Sequence, residues 1–182
     1  MAKALVLLAP GFEEIEAVTI IDLLRRGKID VTVAGLEMDS VTGSHQISII
    51  PDAFYLDIDP DEFDVLILPG GQPGSNNLKG DSNIVNWINS RFKSGKKLAA
   101  ICSAPVVFHA AGITPGRKLT SYPTDKDVFT DSVYLEENVV RDGQIITSRG
   151  VGTAIDFSLA IISDLRGNAE AGEVAARILY KE

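Results

Sequence analysis

Short unbroken runs of Val, Ile, Leu and Ala, most of them closed by Gly or Pro, alternate along this chain with longer stretches of helical spacing. A strand that is apolar at every position must bury both faces, and strands separated by helices pair in parallel through right-handed crossovers. Residues 4–9 (ALVLLA) form the first such run, before Pro10-Gly11. Helical spacing over 13–26 stops at Gly27, and a strand follows at 31–34. Residues 41–50 alternate less cleanly and read as a peripheral hairpin around Gly43-Ser44. The run at 65–68 (VLIL) ends in Pro69-Gly70-Gly71, a helix is expected over 84–92, and 97–102 is a further strand. Beyond it the pattern gives a helix from 103 to about 111 and a short strand at 119–122. Residues 138–141 and 144–148 flank Asp142-Gly143, a strong hairpin signal, and helices close the chain near 154–165 and 169–180. The expectation is an α/β fold: a three-layer sandwich with a mostly parallel sheet, helices on both faces and one antiparallel hairpin near an edge.

The length of 182 residues suits a single domain spanning 1–182, with no repeat or linker inside it. Seventeen basic against 25 acidic residues leave a net charge of −8, which argues against a nucleic-acid partner because phosphate binding needs clustered Lys and Arg. No apolar stretch approaches the about 20 residues of a membrane span. Met1-Ala2-Lys3 runs straight into a strand without the pattern of a signal peptide. A single cysteine fits a reducing compartment, so a cytoplasmic location is expected.

That cysteine, Cys102, lies where a strand turns into a helix, at the carboxyl edge of the expected sheet. This edge is where open α/β sheets place their functional crevice. Two readings stand for it. Backbone N–H groups and the next helix would favour a thiolate nucleophile there, whereas free cysteine is also among the most buried residue types. Glu16 adds an observation of phase. Positions 16, 20, 23, 24 and 27 share one helix face, so Glu16 interrupts the stripe of Ile20, Leu23 and Leu24. A carboxyl there is desolvated, its pKa rises, and beside a thiol it would move protons. The alternative, that the acids of this first turn only complement the helix dipole, suits Glu14 and fits Glu16 poorly. Gly70-Gly71 allows close backbone approach and can aim N–H groups at an oxyanion, although paired glycines are more often a plain turn. Neither a dinucleotide fingerprint nor a P-loop is present. His109 lies two helical turns past Cys102, roughly 10 Å along an axis and too far for direct proton transfer. His45 falls in the peripheral hairpin, so a Cys–His–Asp triad is disfavoured, and so is a zinc site.

Four segments in order resemble the ThiJ/PfpI superfamily, within it the branch of the parkinsonism-associated protein deglycase. They are residues 9–16 (APGFEEIE), 65–71 (VLILPGG), 99–105 (AAICSAP) and 147–153 (TSRGVGT). The resemblance implies a flavodoxin-like sandwich that forms homodimers and needs no cofactor or metal. It places the family nucleophile on Cys102, a protonated glutamate on Glu16, and oxyanion N–H groups on Gly71 and Ser103. Glu13, Gly70, Tyr122 and Val151 would line the pocket. Small reactive aldehydes or glycated adducts are the implied substrates, acted on as a glyoxalase or deglycase. A cysteine-based stress sensor or redox-regulated chaperone is the alternative, and a fold retained without chemistry is a third. Peptidase-like members carry His directly after the cysteine, where this chain has Ser103. The deglycase branch often has His and Pro where Tyr122 and Val151 stand, and Tyr is the poorer proton shuttle near neutral pH.

Overall fold

In the computed structural model, which describes residues 1–180, every apolar run becomes a strand whose alternate residues feed opposite cores. Residues 181–182 of the expected domain lie outside the described residues. The strands in chain order are β1 (Lys3–Leu8), β2 (Asp30–Gly35), β3 (Val41–Thr42), β4 (Ser48–Ile49), β5 (Ala53–Phe54) and β6 (Val65–Leu68). They continue with β7 (Lys97–Ile101), β8 (Lys118–Leu119), β9 (Val133–Tyr134), β10 (Val139–Asp142) and β11 (Ile145–Ser148). The helices are α1 (Glu14–Arg26), α2 (Gly74–Gly80), α3 (Ser82–Lys93), α4 (Pro105–Ala110), α5 (Ala154–Arg166) and α6 (Asn168–Arg177).

Seven strands form one sheet in the order β10-β11-β7-β6-β1-β2-β5, parallel throughout except for β10 against β11. Ala4, Val6 and Leu8 of β1 point into a core closed by α1, α5 and α6, while Leu5 and Leu7 point into one closed by α2, α3 and α4. Both faces are therefore covered, which is why β1, β6 and β7 carry no polar alternation. This is the expected three-layer, flavodoxin-like arrangement. Strand order runs outward from β1 through β2 on one side and through β6 on the other. The switch between those directions opens a crevice beyond the carboxyl ends of β1 and β6.

Three local expectations change. The helix foreseen from 103 starts only at Pro105, because residues 102–104 form a turn and the proline occupies the first helical turn. The strand foreseen at 119–122 stops at Leu119, because the next donors serve other partners: Thr120 N–H goes to Thr147 Oγ1 at 2.9 Å and Tyr122 N–H to the Cys102 carbonyl at 2.7 Å. The peripheral hairpin closes through Gly43 N–H on the Ile47 carbonyl at 2.9 Å, a wider turn than Gly43-Ser44 alone.

Helix α3 shows how side-chain caps hold the second face. Asp81 accepts the Asn83 and Ile84 N–H groups at 2.8 and 3.2 Å through one oxygen and the Tyr55 hydroxyl through the other. Asp81→Ala removes the cap and strands that hydroxyl. Urea unfolding is expected to show a loss of about 2 kcal/mol.

Candidate active site

Cys102 follows β7 directly and adopts a left-handed backbone, φ +63°, that non-glycine residues rarely enter. The conformation is held from both sides: Cys102 N–H donates to the Ser148 carbonyl at 3.0 Å, and its own carbonyl accepts from Tyr122. The effect is to turn the side chain out of the strand toward the crevice. Gly70, at the end of β6, is the surface the thiol rests on. A Cβ there would stand 2.5 Å from Cys102 Cβ, 2.8 Å from the Ile101 carbonyl oxygen and 2.9 Å from Glu16 Oε2, so no larger residue fits.

Glu16 reaches this point from the first turn of α1, whose remaining buried residues include Ala17, Ile20 and Leu24. It is fully buried, and its Oε2 accepts the Gly70 N–H at 2.9 Å. Oε1 has no geometrically placed hydrogen-bond partner among the described residues. Burial pushes the carboxyl up to about 7, aided by the Glu13 charge and opposed by the Gly70 N–H and the Cys102 thiol. Glu13 is the N-cap of the helix, and its Oε2 accepts the Glu16 N–H at 2.7 Å. Glu13 thereby fixes the turn from which Glu16 projects, and it does not line the open cleft.

Opposing influences act on the thiol. Burial, then the Glu16 charge and the hydrogen bond to it, push Cys102 up to about 12, while Ser103 and Gly71 N–H groups facing the sulfur pull the other way. The N–H groups expected to favour a thiolate are therefore present, but they act against burial and the Glu16 charge. The helix that follows has only six residues, and the sulfur has lost water beside a second acid. Protonating Glu16 removes two of the three causes that raise the thiol and leaves both N–H groups in place. The thiolate thus belongs with a protonated Glu16, and the two acids behave as one pair.

Above the sulfur lies an open cleft of about 550 Å³ whose walls include Tyr122, Asn138, Arg149, Val151 and Thr153. Tyr122 and Val151 stand at the mouth, 46% and 41% exposed. Neither histidine reaches it. His109 Nδ1 meets Thr114 Oγ1 at 3.2 Å with its ring edge-on to Phe129, and His45 Nδ1 meets Glu14 Oε2 at 3.1 Å. Glu13, Glu14 and His45 do bring three potential ligand atoms within 4.8 Å of one another, a cluster the spacing did not suggest. The Glu14 oxygens there are already engaged by the His45 and Ile47 N–H groups and the Ser44 hydroxyl.

A family model described as DJ-1/PfpI matches residues 2–164. The chain is 43% identical over 180 residues to protein dj-1beta of Drosophila melanogaster, covering 97% of this chain and 96% of that one. A Caenorhabditis elegans relative named glutathione-independent glyoxalase DJR-1.2 is 39% identical over 168 residues, covering 91% and 89%. The crystal structure of the Drosophila DJ-1beta protein superposes with a TM-score of 0.96 at 42% identity, covering 100% of this chain and 99% of that one. The chain belongs to the DJ-1/PfpI family.

For this DJ-1/PfpI protein, sequence reading missed Asn138, Arg149 and Thr153. The last two lie inside the 147–153 segment, and a structural signal was present in it. Thr153 Oγ1 accepts the Arg149 and Gly150 N–H groups at 3.2 and 3.1 Å, a hydroxyl-capped turn that folds the segment over the thiol.

Glu16 also sets a pH dependence of stability. Its carboxyl titrates near 4.5 in the unfolded chain and about 7 in the fold, so the native state holds a proton that the unfolded state has lost. Stability therefore falls as pH rises through that window, by about 3 kcal/mol in all, and then levels off. Glu16→Gln is expected to abolish this fall, so that the variant gains on wild type between pH 5 and 8 when unfolding is followed in urea at each pH.

Proposed function

We propose that this chain is a glutathione-independent glyoxalase that converts methylglyoxal or glyoxal to the 2-hydroxy acid, with early glycation adducts as further substrates. The observation that carries the reading is a buried carboxyl titrating near neutrality against a solitary thiol, a group suited to both giving and taking a proton at working pH. The glyoxalase name of the worm relative supports it.

The chemistry needs only these groups and water. Cys102 sulfur attacks the aldehyde carbon, forming the C–S bond, and the thiol proton passes by way of Glu16 to the aldehyde oxygen, giving a hemithioacetal. Gly71 and Ser103 N–H groups, which face the sulfur, hold the oxygen as its charge develops. Glu16 carboxylate then removes the hydrogen from the former aldehyde carbon. Water supplies a proton to the ketone oxygen, and an enediol results. Glu16 returns its proton to the adjacent carbon while the hydroxyl proton of the sulfur-bearing carbon passes back to water, leaving a thioester of the 2-hydroxy acid. Water cleaves the thioester, so that substrate and one water become the acid, and the thiol is regenerated. Tyr122 and Val151, at the mouth, would select among carbonyl substituents.

The protein acts as one domain in the cytoplasm and as a homodimer. Among the described residues no helix is long and apolar enough to cross a membrane. Exposed Val18 on α1 and Ile50 beside β4 share one groove, which suits a second copy.

Lactate formed from methylglyoxal without glutathione tests the reaction. Wild type should turn over, Cys102→Ser should lose all measurable activity, and Glu16→Gln should lose about 10²–10⁴-fold. Undiminished turnover by Glu16→Gln would remove its role. No lactate from fully reduced wild type would overturn the reading and leave Cys102 to redox sensing, read as its oxidation by mild peroxide. Tyr122→His places an imidazole at the cleft mouth, and the pH profile of kcat/KM should then gain a limb near pH 6–7, about the imidazole range.

A further inference from the structure

Two buried serine hydroxyls, neither among the residues that line the cleft, are not used by the reaction above. Ser75, in the first turn of α2, is 0% exposed and Ser103 is 5% exposed. Their Oγ atoms stand 2.7 Å apart, and Ser103 Oγ also lies 3.4 Å from the Gly71 carbonyl oxygen. The two hydroxyls share one hydrogen that either can supply, and Ser103 Oγ is also within reach of the Gly71 carbonyl, which can only accept. The Ser75 backbone N–H donates to the same carbonyl at 2.9 Å.

The chain of hydroxyls joins the two residues whose N–H groups face the Cys102 sulfur. Gly71 has a left-handed φ of +96° and no side chain of its own to set its peptide planes. Ser103 sits in the turn just before α4. The donors thus come from separate loops, after β6 and after β7, and this polar chain ties one to the other. Two buried hydroxyls are costly unless they bond to each other. We propose that Ser75 is a positioning residue which, acting through Ser103, aims the Gly71 and Ser103 N–H groups at the sulfur and at the oxygen of a bound carbonyl substrate.

The role in turnover rests on the glyoxalase reading, whereas the effect on the thiol does not. Ser75→Ala and Ser103→Ala are therefore compared with wild type in two assays, Cys102 alkylation by iodoacetamide as a function of pH and lactate formation from methylglyoxal. Glu16, Tyr122 and Arg149 are the ionisable groups around the sulfur, and all three are unchanged in these variants. Each variant is expected to slow alkylation at pH 8 about three- to tenfold and to displace its pH profile upward, because weaker N–H contacts stabilise the thiolate less. The kcat should fall about tenfold with KM unchanged. Ser75→Ala/Ser103→Ala should lose little beyond either single change, since one chain is broken in each case. Ser75→Thr, which keeps the hydroxyl, should restore both readouts, and the Ser103→Ala arm stands by itself if threonine overfills the site. Unchanged alkylation profiles in both alanine variants, with only the melting temperature lowered, would overturn the proposal. Failure of wild type to form lactate, with the alkylation shift intact, would remove the proposed reaction and leave this inference standing.

Discussion

The site depends on burying one carboxyl with fewer partners than it has lone pairs. Glu16 receives a single backbone N–H, from Gly70, and otherwise faces the thiol. Desolvation of that group raises its own affinity for a proton and, through its charge, that of Cys102. Neighbouring features follow from the same demand. Residue 70 must be glycine for backbone, carboxyl and thiol to come together. Glu13 must cap the helix so that the turn carrying Glu16 does not fray. The cost is offset within the same element, where Ala17, Ile20 and Leu24 are wholly buried against the sheet.

Much of this was legible in the sequence where a physical requirement acts on consecutive residues. The β6 run was read to the residue because a strand covered on both faces tolerates no polar position, and its ends are marked by Asp64 and Pro69. The placement of Glu16 followed from helix phase alone. Helix α2 was missed because GSNNLKG buries only one apolar side chain, Leu78, and begins and ends with glycine, so it carries no periodic signal. The pairing of β8 with β9 was missed for a related reason: two-residue strands show no alternation.

The influences on the thiol were only partly legible, for a different reason. Sequence reveals the donors that follow a strand end, but burial of the sulfur and the charge of a group 86 positions away are set by tertiary packing. The pair of Ser75 and Ser103, 28 positions apart and inconspicuous in composition, is invisible for the same reason.

A division of labour follows within the site. Its floor is made of backbone: the Gly70 N–H that anchors Glu16, the donors of Gly71 and Ser103, and the strained turn at Cys102. Such groups keep their positions under many side-chain changes, provided that glycine remains where Cβ atoms would collide and that the Ser75 and Ser103 hydroxyls stay paired. The mouth is made of side chains, Tyr122, Asn138, Arg149 and Val151, carried on loops after β8, β9 and β11. Loops of this kind accept substitution at little cost to the core. Proton chemistry and thiol reactivity are therefore properties of the floor, and the choice of carbonyl compound is a property of the mouth. A change at Tyr122 or Val151 alters what arrives at the sulfur without altering the pair of acids that meets it.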